Sequence, residues 1–212
     1  MTSIAIIGGT GYAGGHIAAE AARRGLTVTT VSRSSESSPV PGVTHVQGQI
    51  ADSALVEQLA EQHDVLVLAV HADGEPALLD VLPGIAKAVT AGGARLGVVG
   101  GAGSLNVAEG GPLLVDTAEF PAEFKATALA HADVLEWFRG AEPDLDWFYV
   151  SPPAVFGSYA PGEATGAYRT GSDLLLVDDA GNSEISGADF AVAFVDEVVE
   201  PAHRRTRFTV AH

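Results

Sequence analysis

The stretch Ile4-Ala5-Ile6-Ile7-Gly8-Gly9-Thr10-Gly11-Tyr12-Ala13-Gly14 decides the fold. Its first four residues are apolar, mostly β-branched and stopped by glycines, which is how a strand buried on both faces reads. After the glycines, alanines and Ile17 recur at helical spacing up to Arg24, and Gly25 supplies a helix stop. Strand, glycine turn and helix in that order put free backbone N–H groups at a helix N-terminus, where a pyrophosphate can be held. Gly8 permits the tight turn, Gly11 lets the backbone approach the phosphates, and Gly14 lets the helix lie against the strand.

Working outward, strands are expected over 27–32, 43–46, 65–70, 95–99 and 147–150, with helices over 53–62, 76–90 and 121–139. Alternation of this kind predicts an α/β chain with a doubly wound parallel sheet, helices on both faces and right-handed crossovers. Ser186-Gly187-Ala188-Asp189 has the capping-box form and opens a last helix through Val199; a strand over 207–210 then closes the sheet. Residues 105–119 form a polar, glycine-containing excursion, and residues 151–185 read as short extended pieces that cover the substrate. No repeat or linker interrupts the chain, so residues 1–212 form a single NAD(P)-binding Rossmann domain.

The 212 residues include 27 acidic and 11 basic side chains, a formal charge of −16, which argues against nucleic acid as a partner. The basic cluster His203, Arg204, Arg205 and Arg207 reads as a solvated approach to the last strand. With no cysteine, thiolate nucleophiles and disulfides are excluded, and the seven histidines lack metal-ligand spacing, so no metal is expected. No leader or membrane span is visible, which makes the expected location cytoplasmic, without membrane partners. Monomer and homodimer both remain open.

The second strand is followed by Ser32-Arg33-Ser34 where NAD-preferring folds carry an acidic residue. Arg33 can pair with a 2′-phosphate and the two hydroxyls can donate to it, favouring NADP, with NAD possible. Arg33 as a solvated residue stacking on adenine is the plainer alternative.

Four segments together resemble an atypical short-chain dehydrogenase/reductase, of the NmrA-like branch that contains biliverdin reductase B and the NAD(P)H-flavin reductase-like proteins. They are the 8–14 turn, Val98-Val99-Gly100-Gly101-Ala102-Gly103-Ser104, Ser151-Pro152-Pro153-Ala154-Val155-Phe156, and Ile185-Ser186-Gly187-Ala188-Asp189-Phe190-Ala191. The resemblance implies that Thr10, Tyr12 and Ala13 join the glycines in holding dinucleotide, and that Gln49, Ile50 and Asp52 cover adenine. It also puts Val70 and His71 on the adjacent ribose. Gly101, Ala102, Ser104, Pro153, Val155 and Phe156 would then form the nicotinamide end. Ser104 is the candidate catalytic residue, with turn capping as its alternative.

The Tyr-x-x-x-Lys pair of short-chain dehydrogenases is absent, because the corresponding segment reads Phe120-Pro121-Ala122-Glu123-Phe124-Lys125. Phenylalanine cannot donate a proton, although Lys125 can still bind a ribose hydroxyl. Ala154 stands where the biliverdin reductase relatives carry histidine. The expected activity is therefore NADPH-dependent hydride transfer to a flavin or quinone-like acceptor, the flavin being substrate rather than prosthetic group. Phe120, Phe156, Tyr159, Tyr168 and Arg169 are the candidate acceptor contacts, core packing being the alternative for the aromatics. The rival readings are a non-catalytic NADP(H)-sensing regulator and, third, an epimerase or isomerase.

Overall fold

The computed structural model describes residues 1–35 and 40–212. Its eight-stranded sheet has the order β3-β2-β1-β4-β5-β6-β8-β7. The strands are β1 (Ser3–Ile7), β2 (Thr27–Ser32), β3 (Thr44–Gln47), β4 (Val65–Leu68), β5 (Arg95–Val99), β6 (Trp147–Ser151), β7 (Arg169–Gly171) and β8 (Thr206–Ala211). Every neighbouring pair is parallel except β7 with β8. The helices are α1 (Tyr12–Arg23), α2 (Ser53–Gln62), α3 (Leu78–Gly92), α4 (Lys125–Arg139) and α5 (Gly187–Val199).

The period-two geometry of a strand explains why the central segments carry almost nothing but apolar residues. Ile4, Ile6, Val65, Val67, Phe148 and Val150 point to one face, where Ile17 and Ala21 of α1 and Phe190 and Phe194 of α5 cover them. Ala5, Ile7, Leu66, Leu68, Leu96, Val98, Trp147 and Tyr149 point to the other, under α2, α3 and α4. Two separate cores thus lie on either side of one sheet, and the loops at the carboxyl ends of the strands are left to hold a ligand.

Three expectations shift. The helix expected from 121 begins as a short 3₁₀ turn, Ala122–Phe124, and becomes α-helical at Lys125, because Pro121 is held extended. The one expected from 76 begins at Leu78, after an extended Ala77. The strand expected to close the sheet is its seventh member: β7 adds an antiparallel edge, with Arg169 opposite Ala211 and Gly171 opposite Thr209.

The capping box at the start of α5 is half formed. The Ser186 hydroxyl accepts the Asp189 N–H at 3.0 Å, but the Asp189 carboxylate turns elsewhere. It accepts the N–H groups of Thr165 (2.8 Å) and Gly166 (2.9 Å), the Ser186 hydroxyl (2.9 Å) and the His212 imidazole (2.8 Å). Asp189 is 1% exposed. Burial alone would raise its pKa; those donors outweigh it and hold the carboxyl down at about 2. It therefore fastens the 165–166 turn to α5.

The sign for stability follows. A carboxyl depressed from 3.8 to about 2 stabilises the fold fully above the higher value and loses that contribution as pH falls through the lower one. Asp189→Asn is expected to cost about 1–3 kcal/mol at pH 7, because a donor replaces an acceptor oxygen. Denaturant titrations of both proteins between pH 7 and pH 2 should show the gap narrowing below pH 4; a gap independent of pH would contradict this role.

Candidate functional site

The site begins at the 8–14 turn. Gly8 has φ +86°, and a β-carbon there would lie 2.2 Å from the Ala69 carbonyl oxygen. A β-carbon on Gly14 would lie 2.3 Å from the Gly8 carbonyl oxygen, so α1 meets the strand end backbone to backbone. Gly11 is extended, and its β-carbon would meet the same oxygen at 3.3 Å, a tight but bearable contact. No side chain caps α1 and no acidic residue sits in its first turn. Its leading N–H groups and positive dipole end therefore remain available to an anion. The cradle fits a pyrophosphate: its floor is backbone that any side chain would lift away.

At the end of β2 the Ser32 hydroxyl donates to the Ser34 carbonyl at 3.3 Å. The Arg33 side chain is exposed, and its carbonyl accepts from the Gln47 amide at 3.0 Å. Sequence reasoning missed His45, which lies beneath this turn with Nδ1 3.1 Å from the Thr30 hydroxyl and Nε2 3.0 Å from the Ser34 carbonyl. Its signal was positional: β3 pairs with β2 in register, placing His45 beside Thr30.

Along the rim, Asp52 is the N-cap of α2 and accepts the Leu55 N–H at 3.1 Å. Ile50 and Val70 pack partly into the core, while His71 is exposed on the loop after β4. In the same loop Asp73 accepts the Thr127 hydroxyl at 2.7 Å, tying this loop to α4.

Beyond β5 the backbone is packed on two residues that the sequence reading did not single out, Tyr149 and His131. A β-carbon on Gly100 would fall 1.9 Å from the Tyr149 ring, and one on Gly101 3.0 Å from the His131 side chain. The Tyr149 hydroxyl donates to the His131 carbonyl at 3.0 Å and accepts the Gly101 N–H at 3.2 Å. Burial pushes the Tyr149 hydroxyl well above its ordinary pKa. Burial, with nearby His71, lowers His131 to about 4. Both are neutral at physiological pH, and they fix the loop rather than act as acids.

Arg207 corrects the solvated-cluster expectation. It is 5% exposed, bonded to the Asp173 carboxylate, the Ser151 hydroxyl (3.1 Å) and the Ser104 hydroxyl (3.4 Å). Asp173 also accepts from Arg139 at 2.9 Å. His203 of the same cluster faces buried Glu197 at 2.7 Å, a carboxylate that Arg95 also holds at 2.6 Å, and Arg204 pairs with Asp146. Ser104 is thereby oriented at the loop end, with Ala102 half-buried beside it.

In the loop after β6, Pro153 is buried and Val155 is exposed, its N–H bound to the Ser183 carbonyl at 2.9 Å. Phe156 packs inward between Phe190 (ring centroids 4.5 Å) and Tyr12 (5.4 Å), so its ring contacts the core instead of an open pocket. Tyr168 donates to Asp196 on α5 at 2.5 Å, and the Arg169 guanidinium is bound to the carbonyls of His212 and Val177. The polar groups of these two side chains are thus already engaged by the protein. Phe120 is half-buried. Lys125 and Tyr159 are exposed, and Phe124, passed over in the sequence, stacks on Tyr159. Among the described residues no group of three or more His, Asp and Glu side chains is placed to hold a metal, and no helix is long and apolar enough to cross a membrane.

The cradle separates two kinds of glycine. Gly14→Ala forces a methyl onto a carbonyl and should cost about 3 kcal/mol, lowering Tm by roughly 6–12 °C. Gly11→Ala should leave Tm within about 3 °C yet weaken NADPH at least about tenfold, because its methyl occupies the approach to the helix N-terminus. Thermal melts and calorimetry on the two variants check this; equal behaviour would mean that Gly11 has only a packing role.

Residues 8–201 match the NAD(P)H-binding family. A solved structure of a proposed exported protein from Burkholderia pseudomallei is 40% identical, with all of both chains covered and a TM-score of 0.87. A proposed epimerase from Bacteroides thetaiotaomicron is 31% identical over all of this chain and 97% of its own, with a TM-score of 0.88. A proposed NADH-flavin reductase from Streptococcus pneumoniae is 31% identical over the whole of both chains, with a TM-score of 0.87. On the match across 8–201, and with a glycine cradle built for a pyrophosphate, the chain belongs to the NAD(P)H-binding family, on an α/β fold of the Rossmann type.

Proposed function

We propose that this protein is an NADPH-dependent reductase that passes hydride to a flavin or quinone-like acceptor. The observation that carries the reading is that the buried pair behind the loop after β5 is not set up as an acid. The Tyr149 proton is already bonded to the His131 carbonyl and its lone pair to the Gly101 N–H, and burial makes the hydroxyl a weaker acid still. His131, held near 4, is neutral at pH 7. An acceptor that stores the incoming charge in a conjugated ring and takes its proton from water needs no such donor. When bound, the reduced nicotinamide supplies the hydride.

The chain's part is then to bind and to orient. Gly8, Gly11 and the first turn of α1 hold the pyrophosphate, with Thr10, Tyr12, Ala13 and Gly14 shaping the cradle. Ser32, Arg33 and Ser34 face the adenosine end, where Arg33 would pair with a 2′-phosphate and His45 supports the turn. Ser104, held by Arg207, is set to donate to a carbonyl of the nicotinamide or acceptor. The flavin-reductase name borne by the Streptococcus pneumoniae relative supports this assignment. The epimerase name of the Bacteroides thetaiotaomicron relative is the competing reading, to be revived by redox-neutral turnover.

The test is NADPH consumption at 340 nm with FMN, FAD, riboflavin and a small quinone in parallel, with NADPH binding by calorimetry. Turnover in excess over protein establishes the reductase; binding without turnover favours a sensor of the dinucleotide. Arg33→Ala should weaken NADPH at least about tenfold, the worth of a charge-assisted bond, and NADH less than about twofold. An unchanged preference would remove the 2′-phosphate assignment.

A further inference from the structure

Resting on the reductase reading, the geometry points to Phe124 and Tyr159 as the two jaws of a clamp that takes the acceptor ring between them. Phe124 ends the 3₁₀ turn ahead of α4, and Tyr159 lies on the turn that follows β6, 35 residues along the chain. Their rings are nearly parallel, 19° between planes with centroids 5.8 Å apart. They are 45% and 62% exposed, whereas Phe138, Phe148, Phe190, Phe194, Trp147 and Tyr149 are fully buried.

An exposed aromatic pair with little else to bury is a poor source of stability and a good surface for a flat ligand. The backbones beneath are fixed. The Phe124 N–H donates to the Pro121 carbonyl at 3.1 Å, and the Ala160 N–H to the Gly157 carbonyl at 3.0 Å. Gly157, at φ +153°, leaves room for the Tyr159 ring, since a β-carbon there would lie 2.7 Å from it.

Planarity selects the ligand. Nearly parallel planes with centroids 5.8 Å apart are those of rings slipped over one another. A conjugated ring between them needs two stacking distances of about 3.5 Å, so it enters as the pair parts to about 7 Å and exchanges one mutual contact for two. Side-chain rotation supplies that without moving either backbone. A puckered or tetrahedral substrate is thicker and gains no stacking on either face. The clamp therefore favours isoalloxazines and polycyclic quinones over aliphatic aldehydes and ketones, in line with the reductase reading on which it rests.

Riboflavin fluorescence quenching in saturating NADP⁺ reads binding without turnover. Tyr159→Ala and Phe124→Ala are each expected to weaken riboflavin at least about tenfold, and Tyr159→Phe to restore it to within about threefold of the parent. NADPH affinity within about twofold of the parent verifies that each variant is folded. Parent-like riboflavin affinity in both alanine variants, with the parent binding and reducing flavin, would overturn the clamp and leave the reductase standing. A parent that consumes NADPH only with aliphatic carbonyls would also overturn it. A parent that consumes no NADPH with any acceptor would remove the reductase reading, and the clamp with it.

Discussion

Everything downstream of the first strand depends on the contact between Gly14 and the Gly8 carbonyl. With no side chain at either residue, α1 can start directly off the end of β1 and lie low against the sheet. From that angle Ile17 and Ala21 reach Ile4 and Ile6, and α1 comes beside α5. The same closeness leaves the helix start without a capping side chain. Stability and ligand binding are joined here: the turn is tight because it is glycine, and its N–H groups are open for the same reason.

The far half of the site is organised by buried charge. Arg207 reaches from β8 to Asp173, Ser151 and Ser104, and Asp189 reaches from α5 to the 165–166 turn and His212. Such groups are costly to bury and are retained only with near-complete hydrogen bonding. Apart from Ser151 at the end of β6, their partners lie outside the strands of the sheet's centre, so these segments are held by polar bonds of fixed geometry as well as by apolar packing. Tyr149 and His131 do the same for the loop after β5, from inside the core.

How much of this was legible followed from distance along the chain. The β1–turn–α1 unit was readable because strand, glycines and helix are contiguous and each glycine's role is local. Strands β5 and β6 were readable as apolar runs stopped by glycine or proline, and β2 as a run of β-branched threonines and valines. Arg207 was misread as solvated because its carboxylate partner lies 34 residues away in a segment with no periodicity. Strand β7 was missed because three residues, Arg169, Thr170 and Gly171, carry no apolar signal. Tyr149 and His131 drew no reading of their own, since their role exists only where β6, α4 and the Gly100–Gly101 backbone meet. The aromatics named as candidate acceptor contacts were the least legible: Phe156 turns inward, Tyr168 bonds Asp196, and the exposed Tyr159 stacks on Phe124, which the sequence reading passed over.

The two rims of the sheet carry a further consequence. A long unpaired strand edge is a template on which other chains can add, and mixed sheets are exposed to this at both sides. Here the rims are β3, four residues long, and β7, three. On β7 the Arg169 guanidinium is already bound to the carbonyls of Val177 and His212. Brevity on both sides discourages this apolar, strand-rich chain from recruiting copies of itself as it folds.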